Sequence, residues 1–522
     1  MKALVLKGRG KIEYIEKELP KLKAPHGALL HPILVSPCTS DVHTIWQGSP
    51  KRPNLTLGHE VVARVEEVGA EVKDFHVGEI VAVSAITPDW SQPDVEENYA
   101  HAGHNFSAHM LGNTIDGAFQ ELFYLPYADR NLAHIPDGLS LEDALMCVDV
   151  VQTGFTAVEE AGVKPGDTVV VMGIGAIGLA AILGAKLAGA RTIYAVGSRP
   201  DNVHIAELLA EVPSATASDE TTLCAAVDCK AAQAVNLASG STSSATAAAA
   251  SSTSKEAIHA RQDCTAGASS NSSVAGSSEE ELRLQTSCHI EVLNYRSLHC
   301  PLPEGMHPLA NSTGSAVVNY VLTKTKTKGA DKVLICGGSD LSFPQAIDMV
   351  KYGTGVVSNV MYYGAELDAQ DAEVAALEAM NQREKSNLRA SREEQVHSGI
   401  YATACEEPTH GGTRETASSR DAYATLSETP SHGGIHATPL NACIDSIQIP
   451  KFSIGRGMAG KTLKFSLSKG GRANLERVMN LVQTAGVHPS MFITKRYQGI
   501  EQIAHAIEDM KERKAIKIAV EI

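Results

Sequence analysis

The feature that most constrains the fold is a glycine-rich turn between a predicted strand and a predicted helix. Thr168–Met172 reads Thr-Val-Val-Val-Met, as a buried strand does, and Gly173-Ile-Gly-Ala-Ile-Gly follows it directly. The small-residue pattern over residues 180–188 predicts a helix, and residues 191–196 predict a second strand. This order is a βαβ unit, so the chain is expected to contain a parallel sheet covered by helices.

The spacing of the glycines predicts a dinucleotide site at this turn. Gly173 permits the tight turn, Gly175 lets the backbone approach a pyrophosphate, and Gly178 allows the helix to pack closely on the sheet. The unpaired N–H groups and the positive dipole end of the helix would then face the phosphates. Such a pattern indicates nucleotide binding because a strand precedes it and a helix follows it.

The end of the second strand favours NADP over NAD. An NAD site usually places an acidic residue about 20 residues after the glycine turn, where it binds the ribose hydroxyls. Here the strand ends in Gly197-Ser-Arg, with no acid. Gly197 leaves space, Ser198 offers a hydroxyl and Arg199 can bind a phosphate with two parallel hydrogen bonds.

The length of the chain predicts more than one domain. A chain of 522 residues exceeds what a single hydrophobic core usually organises. The first 150 residues or so show short β-branched runs broken by glycine and proline, which indicates a mainly β unit. Two stretches, at about 211–288 and 366–446, interrupt the strand and helix pattern and are predicted to be low-complexity insertions. Within the second stretch, residues 367–396 are charged and alanine-rich enough to be helical.

Charge and hydropathy exclude two classes of partner. The formal net charge is -15 and no basic run with interleaved aromatic residues occurs, so nucleic acid is not expected as a ligand. No apolar run approaches the roughly 18 residues that a membrane span requires. We therefore expect no membrane partner and a cytoplasmic location.

Two side chains in the amino-terminal part have the chemistry of zinc ligands. Cys38 stands in Ser-Pro-Cys-Thr-Ser-Asp-Val-His, and His59 stands in Leu-Gly-His-Glu-Val. A thiolate and an imidazole are the donors that Zn²⁺ prefers, although either residue alone is more often structural.

Together with the glycine turn, these segments resemble the zinc-dependent medium-chain alcohol dehydrogenases, and in particular their NADP-linked, bacterial-type secondary alcohol (isopropanol) dehydrogenases. The similar segments, which start at residues 37, 57, 85, 131, 153 and 195, are Pro-Cys-Thr-Ser-Asp, Leu-Gly-His-Glu, Ala-Ile-Thr-Pro-Asp-Trp, Asn-Leu-Ala-His, Thr-Gly-Phe and Ala-Val-Gly-Ser-Arg-Pro. The resemblance covers nearly everything outside the insertions.

The resemblance implies an α/β medium-chain dehydrogenase architecture, in which a GroES-like, mainly β catalytic domain accompanies a Rossmann doubly wound parallel sheet. The catalytic domain would span residues 1–153 and resume at 467–522, and the NADP-binding domain would span 154–466 with both insertions. It implies a hydride transfer between a small, secondary alcohol and NADP, which interconverts the alcohol with a ketone or aldehyde. It also implies that the protein forms a homo-oligomer, and specifically a tetramer.

The resemblance further assigns roles to individual residues. The zinc would be held by Cys38, His59 and Asp149, with Glu60 as a carboxylate that can exchange into the coordination sphere. Ser40 would relay the substrate proton and His43 would carry it onward. The cofactor would contact the glycine turn through Gly173, Ile174, Gly175, Ala176, Ile177 and Gly178. Its adenosine phosphate would contact Gly197, Ser198, Arg199 and Tyr295. Its nicotinamide half would contact Val360, Met361 and Tyr362. Arg513 is a further candidate for a cofactor contact.

The sequence departs from the family pattern in one respect that concerns zinc, and two other functions are possible for this fold. No cysteine lies between Asp89 and Gly117, where many relatives hold a structural zinc with four cysteines, so one zinc per chain is expected. One rival is a zinc-free NADPH quinone or enone reductase on the same fold, against which the three proposed zinc ligands argue. The other is a non-catalytic nucleotide-binding scaffold whose insertions carry partner contacts.

Overall fold

The computed structural model describes residues 1–46, 53–91, 111–212, 288–304, 315–339, 341–361 and 459–522. These residues belong to one compact unit, formed by Met1–Tyr362 and Gln448–Ile522. A second unit, Tyr363–Ile447, lies outside the described residues, as do Tyr362, the helix expected over 367–396 and nearly all of both predicted insertions.

Three sheets organise the described part of the chain. A small antiparallel sheet has the strand order β2-β1-β4 and is formed by β1 (Lys2–Gly8), β2 (Lys11–Glu16) and β4 (Leu55–Thr56). A seven-stranded sheet has the order β15-β16-β3-β5-β6-β8, with β7 paired to β3. Its strands are β3 (Ala28–Ser36), β5 (Glu60–Val68), β6 (Ile80–Val83), β7 (Phe123–Leu125), β8 (Leu132–His134), β15 (Ile493–Gln498) and β16 (Lys517–Glu521).

The third sheet has six parallel strands in the order β11-β10-β9-β12-β13-β14. The strands are β9 (Thr168–Met172), β10 (Thr192–Gly197), β11 (His289–Asn294), β12 (Lys332–Ile335), β13 (Val356–Asn359) and β14 (Thr462–Phe465). Read in chain order this is 3-2-1-4-5-6, the Rossmann arrangement, in which the order reverses between β9 and β12. The expected α/β architecture with a doubly wound parallel sheet is therefore confirmed.

Helices cover the sheets and connect their strands. They are α1 (Thr39–Trp46), α2 (Ala128–Asn131), α3 (Leu141–Met146), α4 (Gln152–Ala161), α5 (Ala176–Leu187), α6 (Pro200–Glu211), α7 (Ala316–Lys324), α8 (Ser342–Met349), α9 (Arg472–Thr484) and α10 (Ile503–Lys511). A π-helical turn, Cys147–Val151, joins α3 to α4. No helix in the described ranges is long and apolar enough to cross a bilayer.

Two hydrophobic cores lie on the two faces of the seven-stranded sheet. On β5, Val61 and Val65 point into one core, which holds Phe119 and Phe123, whereas Val62 points into the other, which continues into the parallel sheet. Because successive strand residues face opposite sides, a strand covered on both faces must be apolar along its length. The apolar run Val-Val-Ala after Glu60, at the start of β5, satisfies this requirement.

Candidate functional site

Four side chains from three separate parts of the sequence meet in one cluster. One ligand atom from each of Cys38, His59, Glu60 and Asp149 lies within 4.8 Å of the others. Asp149 Oδ2 is 3.5 Å from Cys38 Sγ and 3.8 Å from His59 Nε2. Ligand atoms around a tetrahedral Zn²⁺ are roughly 3.5 Å apart, given bonds of about 2.0–2.3 Å. This sulfur, nitrogen and oxygen set therefore fits a zinc ion.

The pairing of β3 with β5 positions three of these residues. Ser36, the last residue of β3, pairs with Glu60, the first residue of β5. Cys38 follows β3 by two residues and His59 immediately precedes β5, so both emerge at the same end of this antiparallel ladder. Asp149 arrives from the other side, at the centre of the π-helical turn. Such turns are frequent at functional sites because they redirect a side chain within a helix.

Asp41 orients two of the ligands without belonging to the cluster. Its Oδ2 accepts the backbone N–H of Cys38 at 2.9 Å, and its Oδ1 is 3.6 Å from His59 Nδ1. A carboxylate at Nδ1 holds the imidazole so that Nε2 faces the metal position. Sequence reasoning missed this role, although an acidic residue three positions after Cys38 at the start of a helix was a usable signal.

Lys517 is the second functional residue that sequence reasoning missed. This fully buried lysine on β16 has its Nζ 2.7 Å from Glu60 Oε1 and 2.5 Å from Oε2, and it donates to the carbonyl of Pro37 at 3.0 Å. A lone lysine in the apolar run of the last strand was the signal, since lysine is almost never fully buried without a partner. Glu60 is thereby held by an ion pair at the edge of the cluster.

The pKa values in the cluster reflect burial opposed by charge. Burial raises the pKa of the Cys38 thiol, and the carboxylates of Glu60 and Asp149 raise it further. Burial raises the pKa of Glu60 to about 7, against the lowering effect of its lysine partner. Burial would lower the pKa of His59, but the nearby carboxylates of Asp41 and Asp149 raise it well above its ordinary value. The pocket thus concentrates acidic groups away from water, a charge that a divalent cation would neutralise.

The two expected proton-relay residues lie on α1 beside the cluster. The Ser40 hydroxyl is 3.3 Å from His59 Nε2, the nitrogen that faces the cluster, and Ser40 is exposed. His43 is half-buried and lies three residues later on the same helix. Residues three apart share a helix face, so the two side chains lie on the same side of α1.

The glycine turn has the open space that a pyrophosphate needs. Gly173 has a φ of +82°, and a Cβ there would lie 2.5 Å from the backbone of Gly337, which follows β12. At Gly178 a Cβ would lie 1.9 Å from the carbonyl oxygen of Gly173. At Gly175, the N-cap of α5, a Cβ would meet nothing within 4 Å. Two glycines therefore permit close backbone packing, and the third leaves the helix terminus accessible, which fits a dinucleotide.

The expected phosphate-binding residues gather at the end of β10. Ser198 hydrogen-bonds the side chain of Tyr295, which lowers the pKa of that phenol, and Tyr295 is 52% exposed. The Arg199 guanidinium donates to the carbonyl oxygens of Arg513 and Ala515. Arg296 also contacts Tyr295 and was not identified from the sequence. A hydroxyl, a phenol and several guanidinium groups form a surface suited to a phosphate.

The other residues expected to contact the cofactor lie near the carboxyl ends of the parallel strands. Gly197 closes β10, where a Cβ would lie 2.1 Å from Ile174 of the glycine turn. Val360 and Met361 follow β13, and Val360 is buried. Ala176 and Ile177 form the first turn of α5. Ligands of doubly wound sheets bind at this edge, where the strand order reverses.

Comparisons with known proteins agree with this geometry. The alcohol dehydrogenase GroES-like domain matches residues 24–137. The chain is 48% identical to the NADP-dependent isopropanol dehydrogenase of Thermoanaerobacter brockii over 202 residues, which cover 38% of this chain and 57% of that protein. It is 28% identical to the enzyme of the same name from Clostridium beijerinckii, over 98% of this chain and 97% of the relative.

Solved structures share the fold at low identity. An alcohol dehydrogenase from Thermus sp. ATN1 matches with a TM-score of 0.57 and 18% identity, over 100% of this chain and 99% of that one. An NADP-bound zinc-binding dehydrogenase from Sinorhizobium meliloti 1021 matches with a TM-score of 0.58 and 15% identity, over the same shares. With the GroES-like domain over residues 24–137, the Rossmann strand order and these relatives together, the chain is similar to the zinc-dependent medium-chain alcohol dehydrogenases.

Proposed function

We propose that this protein transfers a hydride between a small secondary alcohol and NADP, with one zinc ion at the cluster of Cys38, His59, Glu60 and Asp149. The observation that supports this proposal most directly is the convergence of a thiol, an imidazole and carboxyl groups in one cluster of buried and half-buried residues. The resemblance to NADP-dependent isopropanol dehydrogenases supports the same reaction.

The chain offers residues suited to the proton transfer and to cofactor binding. When bound, Zn²⁺ supplies a Lewis acid for the alcohol or carbonyl oxygen, and NADP supplies the hydride acceptor. Ser40 would accept the hydroxyl proton of the alcohol, because its hydroxyl lies beside the ligand nitrogen of His59 and is exposed. His43 would carry that proton toward solvent, and the Arg199 guanidinium would hold the adenosine phosphate.

A panel of secondary and primary alcohols, assayed with NADP and with NAD on metal-analysed protein, tests this function. We expect about one zinc per chain, turnover of secondary alcohols and a preference for NADP. Activity without zinc toward quinones or enones would favour the reductase instead. Cofactor binding with no turnover of any alcohol or carbonyl would favour the scaffold.

We also propose that the enzyme forms a homo-oligomer. Strand β14 lies at the end of the parallel sheet, and Phe465 on it is 49% exposed, with Leu467 beyond it 39% exposed. An apolar sheet edge favours pairing with another strand, and a second copy offers the same edge. Light scattering on the full chain should give a multiple of 55.2 kDa, a tetramer by resemblance, and the monomer mass would contradict the proposal.

For the location we propose the cytoplasm. The five cysteines in the described ranges, Cys38, Cys147, Cys288, Cys300 and Cys336, are free thiols. Free thiols suit a reducing compartment. Microscopy of a tagged full-length chain in its own cell would test this, and signal confined to another compartment would contradict it.

A further inference from the structure

The two oxygens of Asp149 face different partners. Oδ2 points into the ligand cluster, 3.5 Å from Cys38 Sγ and 3.8 Å from His59 Nε2. Oδ1 points away from it and accepts a hydrogen bond from the Thr153 hydroxyl at 2.9 Å. The carboxyl group is thus divided between a metal position and a side-chain donor on α4.

The hydrogen bond from Thr153 differs from those of other helical threonines in the structure. Thr156, Thr323 and Thr325 each donate to the backbone carbonyl four residues earlier, at 2.7–2.8 Å. That is the usual bond for a threonine inside a helix. Thr153 instead donates to the side chain four residues earlier, across the junction between the π-helical turn and α4.

A carboxylate ligand needs such a partner more than a thiolate does. A thiolate has one donor atom, whereas a carboxylate can bind a metal through one oxygen or through both. Binding through both oxygens of Asp149 would occupy an additional coordination position. A hydroxyl that donates to Oδ1 favours metal binding through Oδ2 alone and fixes the rotation of the carboxyl plane.

We propose that Thr153 is a positioning residue that keeps Asp149 bound to the metal through a single oxygen. This inference rests on the proposed zinc-dependent function. Thr153 is itself 8% exposed, so water does not readily replace its hydroxyl. Its loss would leave Oδ1 free to turn toward the metal.

The test compares metal binding by the full-length protein and four variants. Thr153→Val and Thr153→Ala remove the hydroxyl, and Thr153→Ser keeps it. Thr156→Val is the matched control, because Thr156 is also buried on the same helix but donates to the Gln152 carbonyl. Zinc affinity is measured by competition with a chromogenic chelator, and the coordination of substituted Co²⁺ is read from its visible absorption bands.

We expect Thr153→Val and Thr153→Ala to bind zinc at least about 10-fold more weakly, the loss typical when a ligand's partner is removed. Their Co²⁺ bands should shift and weaken as the coordination number rises. Thr153→Ser and Thr156→Val should match the parent, and NADPH affinity should not change in any variant. Either hydroxyl-free variant decides the question if the other does not fold.

Two outcomes would overturn the inference separately from the proposed function. If the parent binds zinc and oxidises alcohols, but the hydroxyl-free variants keep its zinc affinity and Co²⁺ spectrum, Thr153 does not position Asp149. If Thr153→Ser loses affinity as they do, the hydroxyl is not the cause. If the parent itself takes up no zinc, the proposed function and this inference both fail.

Discussion

His59 lies between two carboxyl groups that act on opposite nitrogens of its ring. Asp41 faces Nδ1 at 3.6 Å, and Asp149 faces Nε2 at 3.8 Å. A carboxylate beside Nδ1 favours a proton on that nitrogen and leaves Nε2 to face the metal position. The Asp41 carboxylate also accepts a hydrogen bond from the backbone N–H of Cys38, so one side chain contacts both the proposed nitrogen ligand and the proposed sulfur ligand.

Removal of a ligand should separate catalysis from cofactor binding. We expect Cys38→Ala or Asp149→Ala to reduce turnover by more than about 100-fold, beyond the loss seen when a ligand's partner is removed. NADPH affinity, measured by fluorescence titration, should stay close to the parent value because the glycine turn is untouched. Cys300→Ala is the control, as it removes a free thiol outside the cluster. Near-normal activity in a zinc-free Cys38→Ala preparation would contradict the assignment.

The guanidinium of Arg199 should distinguish the two nicotinamide cofactors. We expect Arg199→Ala to weaken NADPH binding by roughly 10- to 100-fold, the loss of a charge-assisted hydrogen bond, with little effect on NADH. Dissociation constants for both cofactors check this. The control is Arg191→Ala, at the exposed position just before β10, which should change neither dissociation constant. Equal losses for NADPH and NADH in Arg199→Ala would remove the phosphate role.

Residue types predicted some of the site and missed the rest for a physical reason. Cys38 and His59 could be proposed because sulfur and imidazole are the donors that Zn²⁺ prefers and because both residues stand in segments that resemble the family. Asp41 and Lys517 act through other side chains, so their function depends on which atoms the fold brings near. A sequence shows the lysine in an apolar strand but not that Glu60 lies 2.7 Å from it.

At the scale of elements, the turn between β9 and α5 gives two glycines different tasks. Gly173 has the backbone conformation that disfavours other residues and touches Gly337, whereas Gly175 has a φ of -68° and open space around it. The fold requires glycine at the first position, and we infer that glycine at the second position serves the ligand.

Alanine at these two positions should therefore have different effects. We expect Gly173→Ala to destabilise the protein by about 2 to 4 kcal/mol, through left-handed strain and overlap with Gly337. Gly175→Ala should keep the parent's stability and lose NADPH affinity, because its methyl group would fill the space of the pyrophosphate. Urea unfolding and fluorescence titration measure the two effects. Equal destabilisation by both substitutions would contradict this division.

The packing of α10 on β15 depends on a buried carboxylate. Asp509 on α10 accepts hydrogen bonds from Lys495 and Tyr497 of β15, and its side chain is 3% exposed. The Lys495 hydrogen bond, followed by that from Tyr497, lowers the pKa of Asp509 to about 2. The unfolded chain has a pKa of about 3.9 at an aspartate, so this stabilisation is complete above pH 4 and is lost between about pH 4 and pH 2.

Substitution of Asp509 should therefore cost stability at neutral pH and little in acid. We expect Asp509→Asn to lower the free energy of unfolding by about 1 to 2 kcal/mol at pH 7, and the difference from the parent to shrink as pH falls toward 2. Chemical unfolding across this pH range measures it. Glu508→Gln, which removes the exposed neighbour paired with Lys511, should have a much smaller effect. A pH-independent difference for Asp509→Asn would contradict the role of its charge.

At the scale of the whole molecule, the sequence predicted the layers better than their connections. The βαβ pattern around Gly173, with strands over residues 168–172 and 191–196, was predicted from periodicity, and the structure contains it as β9, α5 and β10. Periodicity could not predict that β15 and β16 join β3 in the other sheet, because strand pairing is decided by contacts between distant residues. The two sheets therefore had to be assigned by resemblance.

The stretch of residues 213–287 separates α6 from β11 in the sequence. It leaves after α6 and returns at Cys288, just before β11, and Val212 and Cys288 both pack against the same core. The buried amine of Lys186 donates to the carbonyls of Leu209 and Ala210, and its charge lowers the pKa of the Cys288 thiol against the raising effect of burial. A helix-to-strand connection in such sheets commonly needs only 2–6 residues.

Replacement of residues 213–287 by a linker of about four glycine and serine residues should therefore leave the enzyme intact. We expect the melting temperature to change by no more than about 4 °C, equivalent to about 1 kcal/mol, because Lys186 and the β10–β11 pairing remain. Zinc content, kcat and KM should match the parent. The control deletion extends to residue 290 and removes His289 and Ile290, which pair with Thr192 and Ile193, so it should unfold. Loss of folding or activity in the shorter deletion would show that residues 213–287 contribute to the fold or the reaction.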